Sequence, residues 1–276
     1  MEFIDFSALK RSRRIDLIFP DWKKGENVTF YSPHDDDAVL GAGYLIQAVS
    51  ENGGRPFIIV FCRGDAGYST AKAKATIVAT RKEEAIRAYG ELGVEKDRIF
   101  FFDVPDFALM DSVSRAGGGE APLFDAVVAF LRFYRISRIA FTSGHFEHWD
   151  HTAAFFQGVY TSPQAGDPIL ADLGRPSPIK TYLAYSVWAD FEASAAGKRG
   201  IRAEKGILAG PKHEAAVRKA LKAFASQGEI MLKTVAIHRE KRRAAKGYLE
   251  IYKDIQLRAP VNFKLYAERL KKCRKA

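Results

Sequence analysis

Two short segments of the chain concentrate histidine and carboxylate side chains. The first, residues 33–37, reads Pro-His-Asp-Asp-Asp and places His34 beside three consecutive aspartates. The second, residues 145–151, reads His-Phe-Glu-His-Trp-Asp-His and holds three of the six histidines of the chain. Neighbouring carboxylates repel one another, and a bound cation relieves that repulsion. Helix capping would explain one aspartate of the first segment well, but three poorly.

Residues of these types can build a hydrolytic metal site. A catalytic zinc takes about three protein ligands and keeps one position for water. A carboxylate outside that ligand set can accept the proton of the water, and a histidine can stabilise the oxyanion and protonate the leaving group. His34, Asp37 and His151 can supply ligands, Asp36 the base, His148 the acid and Asp150 a group that orients His148. Spacing alone does not dictate this assignment.

The elements around both segments predict how they meet. A strand pattern over residues 27–31 precedes the first segment, and an apolar helix pattern over residues 37–52 follows it. A further strand pattern over residues 138–142 precedes the second segment. Strands alternating with helices predict an α/β fold with a Rossmann-like, mostly parallel sheet flanked by helices. Ligand sites in such sheets lie beyond the carboxyl ends of the strands.

The remaining patterns complete this α/β interpretation. Further strands are expected over residues 56–62, 98–102 and 179–187, and further helices over residues 71–92, 123–134, 213–226, 229–245 and 263–272. Long surface loops are expected over residues 116–119 and 161–178, where Gly and Pro are frequent.

Length and composition indicate one domain. The chain has 276 residues, 47% of them hydrophobic and 28% charged, as in ordinary globular proteins. We expect a single domain over residues 1–276, with a catalytic core over 1–210 and a basic helical portion over 211–276. Two distant cysteines predict no disulfide framework. The N-terminal residues predict no cleaved signal peptide, and no apolar run reaches the length of a membrane span, so a cytoplasmic location is expected.

Positive charge is concentrated in the basic C-terminal portion. Residues 211–276 hold 18 Lys and Arg against 6 Asp and Glu, a net of +12, whereas the whole chain carries +10. Such a segment can attract nucleic acid, anionic lipid or an acidic substrate. The alternative interpretation is that its basic residues simply lie on helix faces exposed to solvent. The absence of RNA-binding aromatic motifs and of zinc-finger spacing argues against nucleic acid as a partner.

The two histidine segments together resemble a known family. Residues 33–37 resemble the [AP]-H-P-D-D motif of LmbE-like, or PIG-L, de-N-acetylases, and residues 148–151 resemble the H-x-D-H motif of that family. The resemblance implies a Rossmann-like fold and a divalent metal, usually zinc, that serves to remove acetyl groups from N-acetylglucosamine-type amides. It also implies a role for each matching residue: metal ligands His34, Asp37 and His151, general base Asp36, acid and oxyanion partner His148, and its supporting carboxylate Asp150.

Weaker matches extend the resemblance along the chain, with some departures. The matching segments are the turn at residues 64–67, Arg81 with Glu84, Asp106, Ser226-Gln227 and residues 247–250. Arg81 and Asp106 are implied to bind substrate, although Arg81 could equally form an intrahelical ion pair. The departures are Asp35 for the usual Pro, Ala38 for a frequent Glu and Phe224 for a common His. They leave the proposed ligands and base intact but affect the expected pocket shape.

The expected function is therefore hydrolysis of an acetamido group on a sugar or sugar conjugate, with Zn²⁺ as cofactor. Iron, manganese and nickel also suit His and Asp ligands. A first alternative is a metal-dependent amidase acting on a non-sugar N-acyl substrate. A second is a non-catalytic module that binds polyanions through the basic C-terminal portion.

Overall fold

A computed structural model describes residues 1–115, 122–145, 147–189, 191 and 202–273. The predicted loop at residues 116–119 lies outside these described residues. In the described part of the chain, ten strands belong to one mixed sheet. They are β1 (Glu2–Asp5), β2 (Lys10–Ser12), β3 (Asn27–Ser32), β4 (Arg55–Cys62), β5 (Ile99–Val104), β6 (Ile136–Thr142), β7 (Thr181–Tyr185), β8 (Lys205–Ala209), β9 (Arg243–Ala244) and β10 (Gly247–Asp254).

Six of the seven helices in the described part of the chain overlap predicted helices, whereas the helix at Trp149–Phe156 was not predicted. The helices are α1 (Asp37–Glu51), α2 (Ile77–Glu91), α3 (Leu123–Phe133), α4 (Trp149–Phe156), α5 (Pro211–Lys222), α6 (Gly228–Arg242) and α7 (Phe263–Leu270). The helix expected over residues 71–92 is divided, because a short 3-10 turn at Ala71–Ala75 precedes α2. Among the described helices, none has the length and apolar character to cross a bilayer.

The centre of the sheet is parallel, which confirms the predicted fold. The strand order is β2-β1-β8-β10-β7-β6-β3-β4-β5, and each neighbouring pair from β7 to β5 is parallel. Helices cover this block on both faces, so β3, β4, β6 and β7 are buried almost throughout, whereas the edge strand β5 is mostly half-buried. Val28 and Phe30 of β3 point into one apolar cluster and Tyr31 into the other, as strand alternation requires.

Antiparallel strands extend the parallel block on one side. The strand β10 lies between β7 and β8 and is antiparallel to both, while β1 joins β8 to β2. The sequence patterns did not predict β1, β2, β8, β9 or β10. Most of these strands are short, and β10 pairs with segments about 40 to 70 residues away, so local periodicity carried little signal for them.

A buried carboxylate supports a break in α1. Ala42 has non-helical angles, φ −138° and ψ 20°. A break in a helix leaves amides after it without their usual carbonyl partners. Glu250 of β10 accepts two such bonds, from the amides of Tyr44 (2.9 Å) and Leu45 (3.2 Å). The C-terminal strand therefore caps the second half of the helix that begins at the first histidine segment.

Residues 161–178 lie close against the body of the protein. They form short 3-10 turns at Ser162–Gly166 and Ala171–Leu173. The guanidinium of Arg132, on α3, is buried, and its five N–H groups lie within hydrogen-bond distance of six backbone carbonyls of this segment, at Gln164, Ala165, Asp167, Ile169, Leu170 and Gly174. A single side chain thus satisfies carbonyls that an irregular segment would otherwise leave unpaired.

Candidate metal centre

Both histidine segments lie at one crevice of the sheet. The strands β3 and β6 are neighbours, and the chain leaves them toward opposite ends of the parallel block, with β4 beyond β3 and β7 beyond β6. This reversal of strand order opens a crevice at the carboxyl ends, where α/β sheets bind ligands. Residues 33–36 follow β3 and residues 143–148 follow β6, so the topology brings the two segments together.

Three side chains converge at this crevice. Oδ2 of Asp37 lies 3.2 Å from Nδ1 of His34 and 3.1 Å from Nε2 of His151. One potential ligand atom from each of these three residues lies within 4.8 Å of the others. His151 is 1% exposed and Asp37 2%, which separates the group from bulk water.

The spacing of these atoms suits a small divalent cation. Ligand atoms about 2.1 Å from a tetrahedral metal lie about 3.4 Å apart. The measured separations of 3.2 Å and 3.1 Å are close to that value. Two imidazoles and a carboxylate are also a common donor set of zinc sites that keep a position for water. The three residues therefore fit a metal ion, as the sequence predicted; their role as ligands remains a proposal.

Each of the two histidines has a carboxylate at its other ring nitrogen. Nε2 of His34 lies 3.3 Å from Oδ2 of Asp150, and Nδ1 of His151 lies 2.6 Å from Oε2 of Glu147. Metal-binding histidines commonly donate their second N–H to such a group, which fixes both the tautomer and the ring orientation.

Asp150 lies nearer to His34 than to the residue it was predicted to support. Its Oδ2 atom is 3.5 Å from Nδ1 of His148, against 3.3 Å from His34. It also accepts bonds from the amides of Phe107 (2.8 Å) and Leu109 (3.2 Å). Asp150 therefore stands between the two histidines, and its support of His148 remains a prediction.

His148 stands at the N-cap of α4 with a defined ring orientation. Its Nδ1 atom accepts the amide N–H of Asp150 at 3.1 Å. A neutral imidazole that accepts at Nδ1 carries its proton on Nε2. Burial, and then the charge of His34, lower the pKa of His148. His148 is therefore placed to act as a neutral Nε2–H donor at the crevice.

His34 and His151 favour their protonated forms when no metal is bound. Burial alone would lower the pKa of His34, but Asp150 and Asp37 raise it well above its ordinary value. Burial likewise opposes the charge on His151, but Asp37 and Glu147 raise its pKa to about 9. A cation must displace these protons in order to bind.

Asp36 combines partial exposure with an unusually high pKa. It is half-buried at the N-cap of α1, and the described structure shows no capping hydrogen bond from its side chain. Burial, followed by the charges of Asp37 and Asp35, raises the pKa of Asp36 to about 7. A carboxyl group with such a pKa can both accept and return a proton near neutral pH.

Arg81 and Asp35 form a buried ion pair beside the crevice. Nε of Arg81 donates to Oδ2 of Asp35 at 2.9 Å, and a second guanidinium nitrogen contacts Oδ1. Arg81 is 6% exposed and lies beneath the turn at residues 64–67. Asp35, a departure from the family motif, thus has a structural partner. Contact between Arg81 and substrate remains a prediction, with its guanidinium already committed to a carboxylate.

Asp106 holds the same turn. Its two carboxylate oxygens accept the amides of Gly64 (2.8 Å) and Ala66 (2.9 Å). Its own amide donates to Asp65 at 2.9 Å. The predicted contact of Asp106 with substrate is untested, whereas its support of the turn is direct.

The weaker sequence matches are joined by hydrogen bonds. Glu84 accepts both the amide (2.8 Å) and the hydroxyl (2.7 Å) of Ser226, and Gln227 donates to the carbonyl of Gly67 at 2.5 Å. The turn at residues 64–67, α2 and the segment after α5 therefore form one connected wall beside the crevice.

A cleft with aromatic rims opens over the second histidine segment. Its volume is about 430 Å³, and its lining includes Phe107, His148 and Trp149. Phe107 is 63% exposed and Trp149 69%. The rings of Phe107 and His148 lie 4.7 Å apart. Exposed aromatic faces beside a polar centre are typical of sites for small organic ligands.

Glu147 is a participant that the motif analysis did not assign. The only local signal was its position four residues before His151, a spacing at which side chains meet on a helical turn. Its remaining partners lie in residues 186–189, which no local pattern connects to the second histidine segment.

Comparison with known proteins gives one match to a family profile, over slightly less than half of the chain, and a shared fold. Residues 29–160 match the sequence profile described as PIG-L: GlcNAc-PI de-N-acetylase. No curated protein sequence matches the chain significantly.

Several solved structures share the fold at low sequence identity. The N,N'-diacetylchitobiose deacetylase of Pyrococcus horikoshii superposes with a TM-score of 0.66 at 16% identity, covering 88% of this chain and 87% of that one. The conserved protein TT1542 of Thermus thermophilus gives 0.62 at 21% identity, covering 86% and 97%. GalB, the 4-carboxy-2-hydroxymuconate hydratase of Pseudomonas putida, gives 0.60 at 16% identity, covering 86% and 99%.

Proposed function

The chain carries a PIG-L family domain across residues 29–160, and from that premise we propose that it is a metal-dependent de-N-acetylase. The observation that carries the proposal is the convergence of His34, Asp37 and His151 within 4.8 Å of one another, beside Asp36. This is the ligand set that hydrolytic zinc sites use, with a carboxylate left over to serve as base.

The chemistry of the site divides among named residues. His34, Asp37 and His151 would hold the metal, which when bound lowers the pKa of a coordinated water toward about 7 and polarises a carbonyl. Asp36 would accept the proton of a water molecule as its oxygen attacks the amide carbonyl, and the Nε2–H of His148 would stabilise the charge that develops on the carbonyl oxygen. Cleavage of the C–N bond would release acetate and the amine, which would take its proton from Asp36 or His148.

The proposed substrate is an N-acetylated sugar or sugar conjugate. The exposed rings of Trp149 and Phe107 flank the cleft over His148 and offer apolar faces to a sugar ring. One structure of the same fold is an N,N'-diacetylchitobiose deacetylase. Another is a hydratase, so the fold alone does not set the reaction.

Zinc content, amine release and one isosteric variant test the proposal together. We would measure bound metal and the release of free amine from N-acetylhexosamines, other N-acyl amines and the substrate of the hydratase. Asp36→Asn should keep the metal and lower kcat by about 10² to 10⁴, because it removes the proton acceptor.

The outcomes separate the candidate reactions. Amine release from sugars that requires both metal and Asp36 supports the proposal. Turnover of non-sugar amides alone would indicate the amidase alternative, and hydration without amine release would indicate hydratase chemistry. Retention of full activity in Asp36→Asn would refute the mechanism.

A further inference from the structure

Glu147 joins the second histidine segment to residues that follow β7. Its side chain is completely buried. One oxygen, Oε2, lies 2.6 Å from Nδ1 of His151. The other, Oε1, accepts four hydrogen bonds from residues 186–189: the hydroxyl of Ser186 (2.9 Å) and the amides of Val187 (2.9 Å), Trp188 (2.8 Å) and Ala189 (3.0 Å).

This bonding pattern favours an ionised carboxylate. Four donors meet Oε1, and three of them are consecutive backbone amides that form an anion-binding concavity. An ionised Glu147 accepts at both oxygens, so Nδ1 of His151 then carries a hydrogen. When His151 is neutral, the lone pair of Nε2 faces Asp37 and the proposed metal position.

We propose that Glu147 is a positioning residue that sets the tautomer of His151 for metal binding and couples metal occupancy to the order of residues 186–189. This inference rests on the proposed function, because it takes His151 to be a ligand. The resemblance to the family motifs assigned no role to Glu147. The coupling is mechanical, since one rigid carboxylate bonds the ligand at one oxygen and the segment at the other.

The substitution Glu147→Gln discriminates this role from simple packing. Glutamine has nearly the same shape but only one acceptor oxygen. With that oxygen toward the four donors, its NH₂ group faces His151, and Nδ1 must become an acceptor with the hydrogen on Nε2. That tautomer cannot bind a metal through Nε2. The opposite orientation places NH₂ against four donors and disrupts residues 186–189.

Glu84 offers a matched control in the same molecule. It is 2% exposed and also accepts two hydrogen bonds from a distant segment, at Ser226. Glu84→Gln therefore removes a comparable buried carboxylate, but Glu84 bonds to none of the three proposed ligands among its described contacts.

The experiment measures zinc affinity and backbone protection in the full-length chain. Zinc binding would be followed by competition with a chromophoric chelator for wild type, Glu147→Gln, Glu147→Asp and Glu84→Gln. Hydrogen exchange of the amides of residues 187–189 would be followed with and without zinc. We expect Glu147→Gln to weaken zinc binding by about 10- to 100-fold, Glu147→Asp to weaken it less, and Glu84→Gln to leave it unchanged.

Hydrogen exchange at the amides of residues 187–189 should slow when zinc binds to the wild-type chain. This measurement does not depend on the folding of any variant. Wild-type zinc affinity in Glu147→Gln, or exchange at these amides that does not respond to zinc, would overturn the inference while leaving the proposed function in place. A wild-type chain that binds no zinc would instead overturn the proposed function, and this inference with it.

Discussion

The affinity of the crevice for zinc should depend steeply on pH. His151 must be neutral to donate its Nε2 lone pair, but Asp37 and Glu147 raise its pKa to about 9 against the opposing effect of burial. The protonated form therefore dominates the metal-free protein at neutral pH. Zinc must displace that proton, so binding strengthens as pH rises toward 9 and weakens as pH falls.

The magnitude follows from the pKa of His151. Two pH units below a pKa of about 9, roughly 1% of the side chain is neutral, which weakens apparent zinc affinity by about 100-fold, or about 2.7 kcal/mol. The pKa of His34 is also raised, by Asp150 and Asp37, so zinc binding can displace a second proton from this side chain. The logarithm of the affinity should thus rise by about one to two per pH unit between pH 6 and 8.

Competition titrations at several pH values, corrected for the chelator, would measure this slope. Calorimetry in buffers of different ionisation enthalpy would count the released protons directly. His213→Asn serves as a control, because His213 pairs with Glu51 at the far end of α1 and should leave the slope unaltered. A zinc affinity that is constant between pH 6 and 8 would refute the reasoning.

Two further predictions concern buried guanidinium groups. Asp35→Ala leaves Arg81 buried without its bidentate partner. We therefore expect the free energy of unfolding, measured by denaturant titration, to fall by about 3 kcal/mol. An unchanged free energy of unfolding would contradict the pairing. Arg132→Met removes the guanidinium donors to the carbonyls of residues 164–174. We therefore expect Tm to fall by about 5 to 10 °C and limited proteolysis to cut this segment first. Cleavage of the variant that begins in other parts of the chain would show that Arg132 does not hold residues 164–174 in place.

The local part of the site was predictable from the sequence. The proposed ligands lie in two short segments, and each segment directly follows an apolar run of strand length. Parallel strands present their carboxyl ends at one edge, so both segments were expected at that edge, whereas the tertiary structure decided that β3 and β6 are neighbours there. The parallel block and most helix positions followed from periodicity, which is a local property of the chain.

The partners of those ligands were not predictable in this way. Glu147 reaches residues about 40 positions away, and Asp35 pairs with Arg81 46 positions away. Asp150, assigned from the motif to His148, lies nearer to His34. Such contacts depend on how the elements pack, and no spacing in the sequence encodes them.

Residue type and local order thus determined which side chains can bind a metal and at which strand ends they stand. Tertiary structure decided which nitrogen of His34 faces the proposed metal position, because Asp150 of the other segment occupies the second ring nitrogen. It also decided that β10 enters the sheet between β7 and β8 and brings Glu250 to the break in α1. The physical reason is that periodicity is set by neighbours along the chain, whereas hydrogen-bond partners are set by neighbours in space.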